Sequence, residues 1–577
     1  MRPRQGVKRP LGFVHTEQNV GHEGGQGCQY RRRNDPRRKA RGARQGVFNK
    51  MFGKVHGDIV IGPGTHIIDP CQRSLRWIKS PHRQCLYSLA VPFSDIRQFL
   101  AHLERQHLLK RVTADVSAHL QITEVCRRAI MAHGPALLFE RVDGRVTPVL
   151  GNLFGTVERV LQAIDCPDVA GLRALGELLV RIKEPRWPQT IGQAARHLPT
   201  IHRLWSAHPR LLSAGPVQDC TQEGPDVDLE TLPISHCWPD DAGKLLTFGL
   251  VVTQAEPRGR HNVAIYRQQL IGRNRLIMRW LAHRGGAMDY ARWRETRPHE
   301  PFPVAVAIGA DPALTVAAVA PIPDSISEYQ FAGILRGART ELVAAGNGLL
   351  VPARAEMVLE GVILPDDVAL EGPFGDHTGY YNEQARFPVM TVQRITHRSA
   401  PLYQTTYMGR SPHDEPSVLA MALNEVFVPL LQQQFPEIAD FYLPPEACSY
   451  RIAVVSLRKR YPGHARRIMM GIWSYLRQFT YTKFVIVTDD DINIRDWSDV
   501  IWAVVTRADP ARDALILTGT PIDYLDFASP EPGLGGKMGI DATLKGHPET
   551  TRTAGRPIRP DAQTAAAVAD ICRSLGF

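Results

Sequence analysis

From Phe93 onward the chain alternates short apolar runs with turns rich in glycine and proline. Runs of this kind are typical of buried β-strands, while longer segments with apolar residues three and four positions apart indicate helices. A chain of 577 residues is also too long for a single hydrophobic core. We therefore expect a multidomain protein of the mixed α/β (α+β) class.

Changes in pattern divide the chain into a leader, three domains and a linking helix. Residues 1–91 form a basic leader, and residues 92–205 an N-terminal α/β domain that begins with a helix capped by Ser94 or Asp95. Residues 206–410 are strand-rich and predict a barrel-like β domain. Residues 411–435 contain a linking helix, and residues 436–577 form a C-terminal α/β domain.

The positive charge of the chain is concentrated in the leader. Residues 1–90 hold 18 Lys and Arg against 5 Asp and Glu, whereas the rest holds 51 against 53. The body therefore gives no electrostatic reason to expect nucleic acid. The leader lacks the apolar region of a secretory signal and is interpreted as a disordered extension. An anchor on an anionic surface and a transit peptide are the functional alternatives.

Cysteine usage and hydropathy predict a cytoplasmic chain without a membrane span. The nine cysteines are scattered, odd in number and never spaced as a CxxC pair, which is typical of free thiols in a reducing compartment. The most apolar stretch, Val304–Ala320, is interrupted by Asp311 and Pro312 and predicts strand, turn and strand.

Two segments of the last third of the chain bear on its strand topology and on nucleotide binding. The strands Phe484–Val487 and Ala514–Leu517 flank a helix near Asp499–Thr506, which predicts a βαβ-like unit. Gly533–Gly539 has glycines near the spacing of a dinucleotide loop, but the third glycine is misplaced. We interpret it as a turn-rich loop.

A dense polar cluster spans Asn262–Arg267 and Arg279–Gly286. Two arginines, an imidazole and a glycine pair are what an anionic phosphate group needs. Surface ion pairs beside a hairpin turn would give the same pattern. Asn262, His283 and Glu328 also offer amide oxygen, imidazole nitrogen and carboxylate oxygen, a set that suits Mn²⁺ or Mg²⁺ better than structural zinc. Glu328 alone would equally be a favourable charge at a helix start.

The third cluster, Glu371–Tyr381, places three glycines around two carboxylates and a histidine. It is either a multiply turned surface loop or a loop shaped for function. If Glu371 and Asp376 face a cleft with Arg267 between them, the arginine holds one carboxylate ionised. The other carboxylate could keep its proton in an apolar pocket and act as a general acid.

These segments occur in the same order, and at similar separations, in the UbiD family, which the chain therefore resembles. Further matching segments are Ser327–Gln330, Tyr461–His464, Lys483–Arg495, Ile522–Phe527 and Lys537–Asp541. The likeness covers about residues 92 to 555 and is strongest to members that act on 3-polyprenyl-4-hydroxybenzoate. It implies an N-terminal α/β domain, a central split β-barrel that binds a flavin, and a C-terminal α/β domain.

The resemblance also implies the cofactors and the roles of individual residues. It implies prenylated FMN with Mn²⁺, and also K⁺. Asn262, His283 and Glu328 would ligate the metal. Arg267, Glu371 and Asp376 would form the catalytic group, with Asp376 as proton donor. The residues implied to line the cofactor are Ile265, Tyr266, Arg267, Arg279, Trp280, Leu281, Arg284 and Gly285.

The implied reaction is non-oxidative decarboxylation of 4-hydroxy-3-polyprenylbenzoate to 2-polyprenylphenol in ubiquinone biosynthesis. Loss of CO₂ leaves negative charge on a ring carbon, which requires an electron sink such as a modified flavin. The resemblance implies a homo-oligomer (a dimer or hexamer) and a flavin prenyltransferase as the cofactor source. The insoluble prenyl tail predicts peripheral contact with the inner face of the cell membrane.

Other functions remain open from the residues alone. A related prenylated-FMN decarboxylase would act on another aromatic or α,β-unsaturated acid. A split-barrel flavin reductase would need a nicotinamide site, and the sequence offers no convincing one. A nucleic-acid-binding scaffold would have to rely on the leader, because the body is close to neutral.

Overall fold

A computed structural model of the chain describes residues 93–183 and 205–575, apart from short gaps at 257–258, 323–325, 476, 554, 557 and 559–560. The predictions for the leader, residues 1–91, lie outside the described residues. So does most of the stretch between the N-terminal and central regions, residues 184–204. Everything described belongs to one unit of the chain, Arg83–Phe577.

The N-terminal region packs four helices around a small sheet. Its elements are α1 (Ile96–Arg105), β1 (Leu109–Val116), α2 (Gln121–Met131), β2 (Ala136–Val142), β3 (Val149–Gly151), α3 (Val157–Ala163) and α4 (Val169–Lys183). Helix α1 begins where the sequence predicts, because the Asp95 side chain accepts a hydrogen bond from the Gln98 N–H. Its buried face includes Phe99 and Leu103.

The central region is rich in strands and carries most of the candidate site. Its strands are β4 (Arg210–Leu211), β5 (Cys220–Glu223), β6 (Leu245–Leu246), β7 (Leu250–Thr253), β8 (Asn262–Ile265), β9 (Gln268–Gly272), β10 (Arg275–Met278), β11 (Phe302–Ile308), β12 (Glu341–Ala344), β13 (Leu350–Pro352), β14 (Met357–Glu371), β15 (Ala385–His397) and β16 (Tyr403–Gln404). Its helices are α5 (Gly285–Thr296), α6 (Pro312–Ala317) and α7 (Glu328–Arg336).

The C-terminal region is a second α/β layer. Its elements are α8 (Glu415–Gln434), β17 (Ile438–Tyr442), β18 (Ile452–Leu457), α9 (His464–Tyr475), β19 (Phe484–Asp489), α10 (Trp497–Arg507), α11 (Pro510–Asp513), β20 (Ala514–Pro521), β21 (Leu534–Ala542) and α12 (Ala562–Leu575). Helix α8 is the linking helix that the sequence predicts within residues 411–435, and the side chain of its N-cap, Asp414, accepts a hydrogen bond from the Ser417 N–H.

The strands form four sheets within the described ranges. The central one has nine strands in the order β6-β9-β10-β15-β14-β11-β7-β8, with β5 on β15. The others run β1-β2-β3-β16, β13-β12-β4 and β17-β18-β19-β21-β20. The mixed α/β multidomain prediction is confirmed. The hydrogen-bonded path of the central sheet does not close among these residues, since β6 and β8 are its ends.

Three local predictions are wrong. Val304–Ala320 is strand β11 followed by helix α6, because Asp311 caps that helix and Pro312 occupies its first turn. Gly533–Gly539 mostly lies within strand β21, paired with β19 and β20, and is not a loop. The βαβ-like unit fails because β20 runs antiparallel to β21, which itself runs parallel to β19.

Helix α4 packs closely on the linking helix α8, and a glycine makes this possible. A Cβ atom at Gly176 would lie 2.5 Å from the backbone oxygen of Val426 and 3.0 Å from the ring of Pro429. Arg173 on α4 also forms ion pairs with Glu425 of α8 and Asp440 of β17. The N-terminal and C-terminal regions are thus tied together through α8.

Replacing Gly176 with alanine should lower the thermal unfolding midpoint, although alanine favours a helix interior by about 1 kcal/mol. The added methyl group forces α4 away from the backbone of α8, and overpacking of this kind costs about 1–3 kcal/mol. Gly272→Ala is the control, because a Cβ there meets nothing within 4 Å. A Gly176→Ala midpoint equal to or above wild type would contradict this packing.

Candidate active site

A β-hairpin brings two distant arginines together. Arg267 lies between β8 and β9, and Arg279 follows β10, which pairs antiparallel with β9. The Arg279 N–H donates to the Arg267 carbonyl oxygen over 3.4 Å. Residues twelve positions apart in the sequence are therefore neighbours at one end of the hairpin.

Arg267 lies buried between the two carboxylates of the third cluster. Its Nε donates to Glu371 Oε1 over 2.9 Å, and its Nη1 donates to Asp376 Oδ2 over 2.8 Å. Glu371 Oε2 also accepts from Arg279 Nη1 over 2.6 Å. The side chains of Arg267, Glu371 and Asp376 are at most 6% exposed. Two guanidinium groups therefore face two carboxylates in a site shielded from water.

Asn382 fixes the orientation of Arg267, and it is not among the site residues predicted from the sequence. Its Oδ1 accepts from Arg267 Nη2 over 2.7 Å and from the Phe374 N–H over 2.8 Å. The Phe374 ring lies 5.4 Å from the Arg267 guanidinium carbon. The only sequence signal is that Asn382 directly follows the glycine-rich segment.

The glycines of this segment allow close approach to the rest of the protein. A Cβ at Gly375 would lie 2.4 Å from the Trp238 ring, and the Gly375 N–H donates to Asp241 Oδ1 over 2.9 Å. Gly379 has a φ of 80°, in the left-handed region that favours glycine. The Asp376 N–H donates to the Tyr380 carbonyl oxygen. The loop is therefore a tightly held structure built around Asp376.

Asp376 is ionised in this arrangement. Burial alone would raise the pKa of its carboxyl group, but the Arg267 guanidinium, His377 and Arg279 outweigh that effect and lower the pKa. The expectation that one carboxylate keeps its proton near neutral pH therefore does not hold for Asp376. The physical reason is that Arg267 contacts both carboxylates at once.

The metal candidates Asn262 and Glu328 lie together. Glu328 Oε2 accepts from the N–H of Val263, the residue after Asn262, over 2.9 Å. Burial raises the pKa of Glu328 to about 7, and among the described residues no lysine or arginine forms an ion pair with it. A Cβ at Gly285 would lie 2.0 Å from Asn262 Oδ1, so a side chain there would displace the Asn262 amide.

His283, the third metal candidate, is exposed on the segment before α5. Its Nδ1 and the Tyr481 hydroxyl share a hydrogen bond of 3.3 Å, and the two rings lie 5.3 Å apart. In the described part of the chain, Asn262 lies against Gly285, two residues after His283. Within that part, no three His, Cys, Asp or Glu side chains cluster as a metal site.

The residues implied to line the cofactor surround the start of α5. The Tyr266 hydroxyl accepts from the Gly286 N–H over 3.0 Å, and the Trp280 ring packs 6.3 Å from the Tyr266 ring. Ile265 and Leu281, which flank these two residues in the sequence, are half-buried. Arg284 is the N-cap of α5 and makes no side-chain capping bond there among the described residues.

These features fit a bound anionic cofactor and a hard cation. A helix start without a capping side chain, beside an exposed arginine, is suited to phosphate. The buried Trp280 Nε1 and Arg279 Nη2 have no hydrogen-bond partner within the described residues. A buried carboxylate with a raised pKa next to an amide oxygen suits a divalent cation.

The C-terminal region contributes side chains to the same site. The Arg279 guanidinium carbon lies 5.0 Å from the centre of the Tyr524 ring. Tyr481 contacts His283 from the turn Arg477–Tyr481. Among the segments named from the sequence resemblance, Ile522–Phe527 thus lies against the central sheet.

Three family models match the chain in order. They are described as the N-terminal, Rift-related and C-terminal domains of UbiD, 3-octaprenyl-4-hydroxybenzoate carboxy-lyase. The matches cover residues 100–179, 210–411 and 417–542, respectively. Together they span most of the chain beyond the leader.

Solved structures are similar over nearly their whole length. The UbiD-class enzyme HmfF from Pelotomaculum thermopropionicum, in complex with FMN, is 30% identical, with 80% of this chain and 97% of that chain covered at a TM-score of 0.66. An evolved dimeric form of HmfF in complex with prFMN is 29% identical, with 82% and 98% covered at 0.66. Vanillic acid decarboxylase from Sedimentibacter hydroxybenzoicus, in closed form, is 26% identical, with 85% and 100% covered at 0.72.

Replacing Arg267 with methionine should lower the free energy of unfolding at neutral pH by about 3–5 kcal/mol, because two buried carboxylates lose their shared partner. The difference from wild type should shrink as pH falls below about 4. A carboxyl group with a depressed folded pKa stabilises the fold above its unfolded pKa, and this contribution is lost as pH falls through the folded pKa.

Denaturant unfolding at neutral and acid pH measures both effects. Arg275→Met is the matched control, since Arg275 pairs with Asp367 at the surface and such pairs contribute about 0–1 kcal/mol. If Arg267→Met and Arg275→Met lose the same stability at every pH, the buried cluster does not have the charges described here.

Proposed function

The chain belongs to the UbiD family of carboxy-lyases, and we propose that its substrate is a 4-hydroxy-3-polyprenylbenzoate. The product would be the 2-polyprenylphenol of ubiquinone biosynthesis, with prenylated FMN and Mn²⁺ as cofactors. The observation that carries the proposal is the buried Arg267 between Glu371 and Asp376, beside a helix start suited to phosphate. The buried arginine would bind the substrate, and the helix start would bind the cofactor.

Side chains of this protein would orient the substrate and supply the proton. Arg267 is kept at a fixed angle by Glu371 and Asn382, so it is preorganised to orient an anionic substrate. Asp376 lies on the other side of Arg267 and would deliver a proton to the ring carbon that loses CO₂. When bound, prenylated FMN supplies the electron sink for the charge left on that carbon.

Separate residues would hold the cofactors. The N-terminus of α5 with Arg284 and Gly285 would bind the flavin phosphate, and Ile265, Tyr266, Trp280 and Leu281 would line the cofactor. Asn262, Glu328 and His283 would bind Mn²⁺, with K⁺ as a second ion. The proximity of Asn262 to Glu328 supports this set, and the hydrogen bond of His283 to Tyr481 uses Nδ1, which leaves Nε2 for the metal.

Exposed aromatic side chains beside the site support a substrate with a prenyl tail. Tyr380 is 66% exposed and Phe527 is 48% exposed, and their rings lie 6.0 Å apart. Tyr380 is joined directly to Asp376 through the backbone hydrogen bond. Such a pair could receive an apolar chain at the inner face of the cell membrane. Within the described residues, no helix is long and apolar enough to cross a bilayer.

The proposed assembly is a homo-oligomer whose cofactor comes from a flavin prenyltransferase. The similarity to a dimeric form of HmfF supports an oligomer. A second candidate substrate is an aromatic acid without a prenyl chain, favoured by the similarity to vanillic acid decarboxylase. Purified holoenzyme assayed on prenylated and unprenylated acids separates the two, and the mass and spectrum of the co-purified pigment identify the cofactor.

Asp376→Asn should reduce kcat for decarboxylation by about 100-fold or more while the pigment stays bound, because the amide keeps the shape of the side chain but cannot take up a proton and pass it on. The release of CO₂ and the absorption spectrum measure the two effects. Asp367→Asn, which alters a surface carboxylate paired with Arg275, is the control. Wild-type turnover by Asp376→Asn would show that another group protonates the product.

Replacing Tyr380 and Phe527 with serine should raise KM for a prenylated acid several-fold and leave KM for an unprenylated acid unchanged. The change removes apolar surface that the prenyl chain would cover, at roughly 25 cal/mol per Å². Steady-state kinetics on both acids test this. Val146→Ser, another exposed apolar side chain, serves as the control. Equal effects on both acids would argue against a tail site here.

A further inference from the structure

Each decarboxylation consumes a proton that Asp376 does not hold in this arrangement. The carbon–carboxylate bond breaks, CO₂ leaves, and a new carbon–hydrogen bond forms with a proton from solvent. Asp376 is ionised because of Arg267 and is only 6% exposed at its side chain. A proton must therefore reach Asp376 through a neighbouring group before every turnover.

His377 is the titratable neighbour of Asp376 within hydrogen-bond distance. Asp376 Oδ2 accepts from Arg267, while Oδ1 accepts from the His377 backbone N–H over 2.8 Å and lies 2.8 Å from the His377 ring Nδ1. A guanidinium group does not give up its proton near neutral pH, whereas an imidazolium group does. The His377 side chain is 15% exposed, more than that of Asp376.

The surroundings of His377 favour its charged form. Burial lowers the pKa of its imidazole, but the hydrogen bond to Asp376 and the charges of Asp376 and Asp523 outweigh burial, and the pKa is raised. Arg451 opposes this, and it pairs with Asp523 over 3.3 Å. Asp414 also interacts electrostatically with His377. Three carboxylates and one arginine thus face the ring.

We infer that His377 is the positioning residue through which solvent protons reach Asp376, a role that rests on the proposed decarboxylase function. The imidazolium Nδ1 passes its proton to Asp376 Oδ1, and the resulting carboxyl group gives that proton to the ring carbon. Neutral His377 then takes up a proton from solvent. An anionic substrate beside Arg267 drives the first transfer, because added negative charge favours the protonated form of Asp376.

The first test is the pH dependence of kcat for wild type and His377→Gln, with equal pigment loading shown by absorption. Wild type should lose activity as pH rises through the raised pKa of His377. His377→Gln should lose at least tenfold in kcat, lack this alkaline limb, keep KM within about twofold, and be partly rescued by added imidazole. His397→Gln is the matched control, since the His397 ring Nδ1 pairs with the Arg398 carbonyl oxygen, outside the Arg267 cluster.

The second test needs no cofactor. In full-length protein labelled with ¹³C at the histidine Cε1, the signal missing from His377→Gln identifies His377. Its pKa should lie above 6.5 in wild type and fall in Asp376→Asn, because the carboxylate that holds the proton is gone while burial remains. A pKa that stays the same in Asp376→Asn would overturn the coupling.

The outcomes separate this inference from the proposed function. If wild-type holoenzyme decarboxylates none of the acids tested, the proposed function fails and the relay fails with it. If wild type is active but His377→Gln keeps the wild-type kcat and alkaline limb, the relay alone is overturned. A loss of kcat that imidazole does not rescue, with an unchanged alkaline limb, would assign His377 a merely structural role and also overturn it.

Discussion

The buried ion cluster around Arg267 is the constraint on which the rest of the site depends. Removing a guanidinium group from water is costly unless carboxylates and amides accept its hydrogen bonds. Glu371, Asp376 and Asn382 meet them here. Their hydrogen bonds to Arg267 join the end of β14, the glycine-rich loop and the β9–β10 hairpin. Contacts to one buried cation therefore hold three parts of the central region together.

The site divides into two chemically different ends joined by a short stretch of chain. Asn262 lies at the end proposed for the phosphate and the metal, and Arg267, five residues later, at the end proposed for acid–base chemistry. Strand β8 therefore sets the distance between the part that would hold the cofactor and the part that would hold the substrate. In the C-terminal region, Tyr481 contacts His283, Tyr524 lies beside Arg279, and Asp523 interacts electrostatically with His377. This region therefore contributes to both ends.

The prediction errors have a common cause. Asp311 and Pro312 look like a break in an apolar stretch, yet they begin helix α6, because an aspartate cap followed by proline is also a helix start. The glycines of Gly533–Gly539 look like a turn, yet β21 uses them to pass Met469, which would lie 2.4 Å from a Cβ at Gly539. In both cases the residues allow two local structures, and only the folded chain shows which one forms.

The sequence alone determined the mixed α/β class, the cap that begins α1 and the linking helix α8, and it singled out the segments that meet around Arg267, because periodicity, caps and motif order are local properties. It could not determine charge states or contacts. That Asp376 is ionised, that Asn382 orients Arg267 and that His283 rests on Tyr481 depend on burial and on distances between remote residues. Only the tertiary structure decided these, since a pKa reflects the surroundings of a group and not its place in the chain.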